Sequence, residues 1–391
     1  MTVVAFFEEL QLAIADVLMS ADYSNAPLHV PVPISLPSTP AGYPLNINAV
    51  PVSLARKILR VKSDVSDAAF LTAGTVSHIK DVARNARQLR GGPLMPSTSL
   101  PPIDTRRVQS VLEHAMDISE QKARGDFEII GVCDGAWFSR AKNFGTSDEI
   151  PYFGRVTLAG SGAPALRDWL FERGKQYSEL KIGNEPFYHR RHRTGGWLLS
   201  RLLEEDVLPQ SRTLKAGVGG YYELYEYDPS GMSVVDGALI AFMSIDELEK
   251  GKLVFERVFF HTYIDDCLCI LALNKPSSPF LAGDRVRIPL SSFSVHVLPT
   301  IERDSPLPHV TSELLVGMVG GANFFSLALS RAQGESFYHQ TKRFIDTEHK
   351  LMRPSVAGGY VHLNLDQSLL NGFIAKFPKR PAHGTDVVYS S

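Results

Sequence analysis

Cysteine is scarce in this sequence. Its 391 residues include three, Cys133, Cys267 and Cys269, too few for a disulfide scaffold in a chain of this length, and a reducing cytoplasm is the compartment that such usage fits. An excess of charge of one sign is also missing. The 40 basic and 42 acidic residues leave a formal net charge of -2, which provides no overall attraction to nucleic acid or to an anionic membrane. Long apolar runs are absent as well. VVAFF and the following LQLAIADVLM are interrupted by Glu8, Glu9 and Asp16 and carry no Lys or Arg, so the basic start and unbroken apolar core of a signal peptide are both wanting. No later stretch approaches the roughly 18–20 apolar residues of a membrane span. Neither nucleic acid nor membrane is therefore an expected partner. What is present, 44% hydrophobic and 21% charged residues, describes a globular protein with length for one large or two medium domains.

Residues 2–7 (TVVAFF) and 12–21 (LAIADVLMSA) are β-rich apolar runs that predict two antiparallel strands. Prolines then recur over 27–53, an irregular connection. KILRV (57–61) and AAFLTA (68–73) predict a second strand pair, which Gly74 ends. TVSHIKDVARNARQL (75–89) spaces its apolar residues at helical intervals, and a second helix is predicted over 105–122. Strands follow at 127–133, 134–138 and 152–159, then a helix after Gly160, another over about 189–205, and strands at 221–227 and 234–243. The order strand, Ala-Gly-[Ser/Thr], helix thus occurs twice, as TAGTVSHIKDVARNARQL and LAGSGAPALRDWLFERG, a weak internal duplication. Beyond 245 the texture changes. KLVFERVFFHTYI, CLCILAL, RVRIPL and SFSVHVLPTI predict short strands, SELLVGMVGGANFFSLALSRA and ESFYHQTKRFIDTEHKL predict helices, and FPKRPAHGTD begins a loose tail. The expected organisation is α+β, with one domain over 1–245 and a β-rich mixed domain over 246–391.

Several short segments of the first domain keep a telling order. TVVAFF opens with Thr2; VLMSADYS ends a strand in Ala-Asp; RKILRVKSDVSDAAFLTAGTVSHIKDVARNAR has Lys-Ile opening a strand and Ala-Gly-Thr before a helix; EIIGVCDG and VTLAGSG supply a later strand and a Gly-Ser-Gly turn. Together, over about residues 2–245, they resemble the proteasome β-type branch of the N-terminal nucleophile (Ntn) hydrolases. The resemblance implies a four-layer αββα sandwich, here with a β-rich C-terminal extension. One stretch departs from the family pattern: QSRTLKAGVGGYYELYEY has the glycines but not the Asp and Ser pair.

The chemistry explains the residue types. A threonine hydroxyl is a poor nucleophile until a base takes its proton, and a threonine left first by removal of Met1 carries that base in its own α-amino group, with a pKa of about 7.7–8.0. The resemblance implies that Lys57 lowers the pKa of the Thr2 amine, that Asp22 orients Lys57, that Gly74 supplies the N–H facing the oxyanion, and that Ser161 joins the proton network. The expected activity is that of a threonine-type amidohydrolase or peptidase acting on a peptide or small amide. No metal or organic cofactor enters the scheme, and the family implies self-association as a homo-oligomer. The alternative is a non-catalytic scaffold or interaction protein acting through its C-terminal extension. Each residue also has a plainer use: Lys57 as a solvated strand-edge lysine, Asp22 as a turn former, Gly74 and Gly160 as strand-to-helix breakers.

Three further features compete for attention. Cys267 and Cys269 share one face of a predicted strand near His261, Asp265 and Asp266, but lack a second ligand pair and read as buried thiols. HRRHR (189–193) reads as the solvated basic start of a helix. GMVGGAN (317–323) lacks the spacing of a nucleotide loop.

Overall fold

A computed structural model of the chain describes residues 2–21, 33, 50–91, 103–119, 127–140, 146–179, 186–207, 213, 217–245, 252–273, 276–281, 285–303, 305–331, 336–343 and 352–365. The fold is mixed α/β and β-rich, and most of its strand pairs are antiparallel. Val4–Phe7 lies near the centre of a six-stranded sheet, between Leu12–Asp16 and Gly154–Ala159. Tyr222–Asp228 and Gly231–Val234 extend that sheet on one side, and Thr146–Ile150 on the other. Ile58–Lys62, Asp67–Gly74, Phe127–Cys133 and Ala136–Arg140 form a separate four-stranded sheet.

Period-two alternation explains why the first strands read as unbroken apolar runs: both of their faces are covered. Val4, Phe6, Ala13 and Ala15 pack with Ile58, Leu71, Ala73, Ile130 and Val132 of the four-stranded sheet. Their neighbours Ala5, Phe7, Leu12 and Ile14 pack instead with Leu166, Trp169, Trp197 and Leu198, which belong to the helices Ala163–Glu179 and Phe187–Val207. The outer face of the four-stranded sheet is covered by Val76–Gly91 and Val108–Asp117. The second of these buries Val108, Val111, Leu112, Ala115 and Met116, the single stripe expected of a helix lying on a sheet.

The domain boundary expected at 245/246 falls between two strands of one sheet. Ala238–Ile245 is hydrogen-bonded to Lys252–Ile264 on one side and runs parallel to Phe324–Arg331 on the other, inside a seven-stranded sheet. Two expected helices also change. SELLVGMVGGANFFSLALSRA is helical only over Ser312–Gly320, after which the chain enters the strand Phe324–Arg331. ESFYHQTKRFIDTEHKL contributes the strand Ser336–Arg343, paired with Phe324–Arg331. In both segments a neighbouring strand with open hydrogen-bonding groups outweighs local helical propensity. The residues from FPKRPAHGTD onward lie outside the described set.

Helix Phe187–Val207 is shared between the two parts, touching Tyr222–Asp228 on one side and Phe324–Arg331 and Ser336–Arg343 on the other. The hydroxyls of Ser200 and Ser326 lie 2.6 Å apart, and Ser326 Oγ also donates to the Gly196 carbonyl at 2.9 Å. A second buried polar link is His261. Its Nε2 is 3.1 Å from the Val235 carbonyl and its Nδ1 is 2.7 Å from the Tyr221 hydroxyl. A carbonyl can only accept, so Nε2 carries the proton and Nδ1 accepts from the tyrosine. Burial lowers the His261 pKa, against weaker opposing effects of the Val235 carbonyl and Asp236. As pH falls below the ordinary imidazole range the unfolded chain takes up a proton that the native state refuses, so stability falls. The melting temperature is expected to drop between about pH 7 and pH 5, and to drop less steeply in His261→Gln; equal slopes in a pH series of thermal melts would count against this account.

Candidate active site

Thr2 stands just before the strand Val4–Phe7 and is 7% exposed. Around it converge the ends of strands from both sheets. Gly74, the last residue of Asp67–Gly74, directs its N–H to Thr2 Oγ1 at 3.4 Å. Ser161 Oγ accepts from Thr2 N at 3.4 Å, and Gly162 N donates to the Thr2 carbonyl at 3.0 Å. Both 3.4 Å contacts are long for hydrogen bonds. Gly160 fits because it has no side chain: its φ is +97°, and a Cβ there would lie 2.3 Å from the Thr2 carbonyl oxygen and 2.9 Å from Thr2 Oγ1. Ser161 is exposed, so the site opens to solvent beside it.

Lys57 is fully buried just ahead of Ile58–Lys62, which removes the reading of a solvated edge lysine. Its Nζ forms an ion pair with Asp16 and donates to the Leu18 carbonyl at 2.7 Å. Asp16 Oδ1 also accepts from Val3 N at 2.8 Å, so the lysine and the peptide after Thr2 meet on one carboxylate oxygen. Among the described residues Lys57 makes no hydrogen bond to Thr2 itself. Burial lowers the Lys57 pKa, with the Asp16 charge, and more weakly Glu223, opposing it.

The acid that meets Lys57 is thus Asp16, whereas the sequence pointed to Asp22, which lies outside the described residues. Both are preceded by alanine. Local pattern makes the run 12–21 one strand, which puts its end at the second Ala-Asp. It is broken at Val17 into Leu12–Asp16 and Leu18–Ala21, the latter paired with Val50–Leu54. The first strand therefore ends at Asp16, level with Tyr222 on the next strand. The repeated Ala-Asp was a visible signal; the break at Val17 was not.

Two more buried acids were missed. Asp206, at the end of helix Phe187–Val207, accepts from the Thr213 hydroxyl, from Gly220 N at 2.9 Å and from the Tyr222 hydroxyl at 3.1 Å. Burial raises its pKa well above the carboxylate range, outweighing these bonds, and the Asp16 charge adds to the rise. Asp206 fixes the Gly219–Gly220 turn, whose Gly219 N donates to Asp16 Oδ2 at 3.0 Å. Glu128, opposite Ala73, accepts from Gly160 N. It continues the row of Ile130 and Val132 between the sheets, and an acid in an apolar row is a detectable signal.

No family model, curated protein or solved structure matches the chain. The site therefore rests on its own geometry. It unites a threonine hydroxyl with an N–H directed at it, a buried lysine–aspartate pair one residue away, and a serine hydroxyl at the threonine nitrogen. Thr2, Lys57, Gly74 and Ser161 are brought together.

Cys267 and Cys269 are buried; burial raises both thiols, that of Cys269 to about 11. Among the described residues no group of three or more His, Cys, Asp or Glu is arranged to hold a metal. In HRRHR, Arg190 donates to the Tyr152 carbonyl at 3.0 Å, and Arg191 and His192 lie 3.3 and 2.7 Å from the Glu226 carboxylate.

Removing the Asp16 charge leaves a buried ammonium without its partner. Asp16→Asn is expected to cost about 3–5 kcal/mol at neutral pH, measured by denaturant unfolding. Because Lys57 would then shed its proton more readily, the loss should shrink as pH rises; a loss independent of pH would contradict the ion-pair account.

Proposed function

We propose that the chain is a threonine-type Ntn hydrolase of the proteasome β-type kind, cleaving an amide bond in a peptide or small amide. The observation that carries the proposal is the convergence of Gly74 N–H, Ser161 Oγ and the Lys57–Asp16 pair on Thr2. The order of layers supports it: helices Val76–Gly91 and Val108–Asp117, the four-stranded sheet, the six-stranded sheet, then helices Ala163–Glu179 and Phe187–Val207. We read this as the αββα sandwich of that superfamily.

The mechanism requires Thr2 to be first, with a free amine. That amine takes the hydroxyl proton, directly or through Ser161, as Oγ1 attacks the amide carbonyl. The Gly74 N–H faces the oxygen that becomes anionic in the tetrahedral intermediate. Collapse expels the leaving amine, which receives the proton from the Thr2 ammonium, and an ester remains on Oγ1. Water, deprotonated by the same amine, then attacks the ester and restores the hydroxyl. The Lys57 charge, held by Asp16, favours the neutral, basic form of the Thr2 amine. No residue in this scheme requires a metal or an organic cofactor.

The second reading, a non-catalytic scaffold, is favoured by one observation. Helix Phe187–Val207 is sandwiched between two sheets, so that part of its layer is closed to association of the family's kind. The pair Val76–Gly91 and Val108–Asp117 is the helix layer left for a homo-oligomer. No helix among the described residues is long and apolar enough to cross a membrane, and a cytoplasmic location belongs to the same proposal.

Intact mass should show a chain beginning at Thr2. An electrophile directed at N-terminal threonine should label the protein once, Thr2→Ala should abolish labelling, and Lys57→Met should slow it about a hundredfold or more. Retained Met1, or labelling that survives Thr2→Ala, sinks the catalytic reading in favour of the scaffold.

A further inference from the structure

A second buried ion pair lies beside the first. Arg56, the residue before Lys57, is 1% exposed, and its Nε donates to Glu223 Oε1 at 2.6 Å. Glu223 sits opposite Ala15, the neighbour of Asp16, on the strand Tyr222–Asp228. It has the same parity as Tyr225, which packs between the two sheets, so its carboxylate faces the strand of Lys57. The other contacts of Arg56 come from the C-terminal part. Its Nη1 donates to the Asp266 carbonyl at 2.5 Å, and its guanidinium lies 4.4 Å from the centre of the Tyr263 ring. Its backbone is clamped as well: Arg56 N donates to the Pro299 carbonyl at 2.8 Å, and Ile301 N to the Arg56 carbonyl at 3.2 Å.

A lysine adjacent to this clamp cannot be placed independently of it. We propose that Arg56 and Glu223 are positioning residues for Lys57, and that through them the seven-stranded sheet is a working part of the Thr2 site. The inference rests on the Ntn reading for its catalytic meaning, but the coupling itself is a property of the charges. Lys57 is paired with Asp16 and feels the Glu223 charge more weakly, and Glu223 is itself paired with Arg56, the residue before the lysine; Asp206 and Tyr222 stand behind Asp16, and Tyr225 and Tyr263 flank Arg56. The Glu223 carboxylate favours protonated Lys57, and Arg56 screens that effect while fixing where the carboxylate points. Loss of either partner should therefore move the lysine in opposite directions.

The test is an NMR titration of the Lys57 side chain in the full chain, with Thr2 labelling measured on the same samples. Glu223→Gln is expected to lower the Lys57 midpoint and Arg56→Met to raise it, each by about half to one pH unit. Tyr263→Leu, a change in the C-terminal sheet that keeps every charge, should shift it upward as Arg56→Met does and slow labelling about tenfold or less. If Arg56→Met does not fold, Arg56→Lys replaces it, with slower labelling and a midpoint close to wild type expected. Midpoints that rise in all variants would mark loosened packing and overturn the proposal, as would no response to Glu223→Gln. Unlabelled wild type with opposite shifts would sink the Ntn reading and leave the coupling standing. Labelled wild type without them would do the reverse.

Discussion

The burial of Lys57 against Asp16 is the constraint around which the site is arranged. An ammonium taken out of water is tolerated only when its charge and its donors are met, and here they are met by a carboxylate on one sheet and a carbonyl just beyond the same strand. The lysine stands just ahead of a strand of the other sheet. A single interaction therefore fixes the separation and register of the two sheets at the end where Thr2 lies. The remaining oxygen of Asp16 needs its own donor, which Gly219 provides, and Gly219 is held by a turn fastened to Asp206. The requirement to satisfy one buried charge thus spreads across three elements distant in sequence.

Thr2 inherits its position from this arrangement. Val3 N is bound to the carboxylate that holds Lys57, and the Thr2 carbonyl is bound by the turn after Gly160. Both sides of the peptide after Thr2 are thereby fixed, and the missing side chain of Gly160 leaves room for the threonine. On the proposed reading, such preorganisation is what a weak nucleophile with an attached base requires. The C-terminal sheet enters the same logic through Arg56, whose charge is held above its ordinary pKa because Glu223, Tyr225 and Tyr263 together outweigh the opposing effect of burial.

Local pattern carried much of this. Apolar runs covered on both faces, such as Val4–Phe7 and Phe127–Cys133, look like strands whatever surrounds them, and the stripe of Val108–Asp117 looks like a helix. Where pattern failed, a distant partner had decided the outcome. Phe324–Arg331 and Ser336–Arg343 have segments that read as helical, but they extend a sheet beyond Ala238–Ile245. The strands on either side of 245/246 pair in one sheet, which a change in sequence texture does not reveal.

The sequence by itself determined the residue types of the site and their order: a threonine near the start, a lysine opening a strand, a glycine closing the next, and a Gly-Ser-Gly turn. These are local features, each tied to a strand end that its own neighbours specify. Only the tertiary structure showed that Asp16 meets the lysine, because two aspartates of this region follow alanine and where the strand breaks against Tyr222–Asp228 is not written in the local pattern. It also decided the partners of Asp206, Glu128 and Arg56. A charge buried in a folded chain is satisfied by whatever lies beside it in space, and sequence spacing carries no record of that.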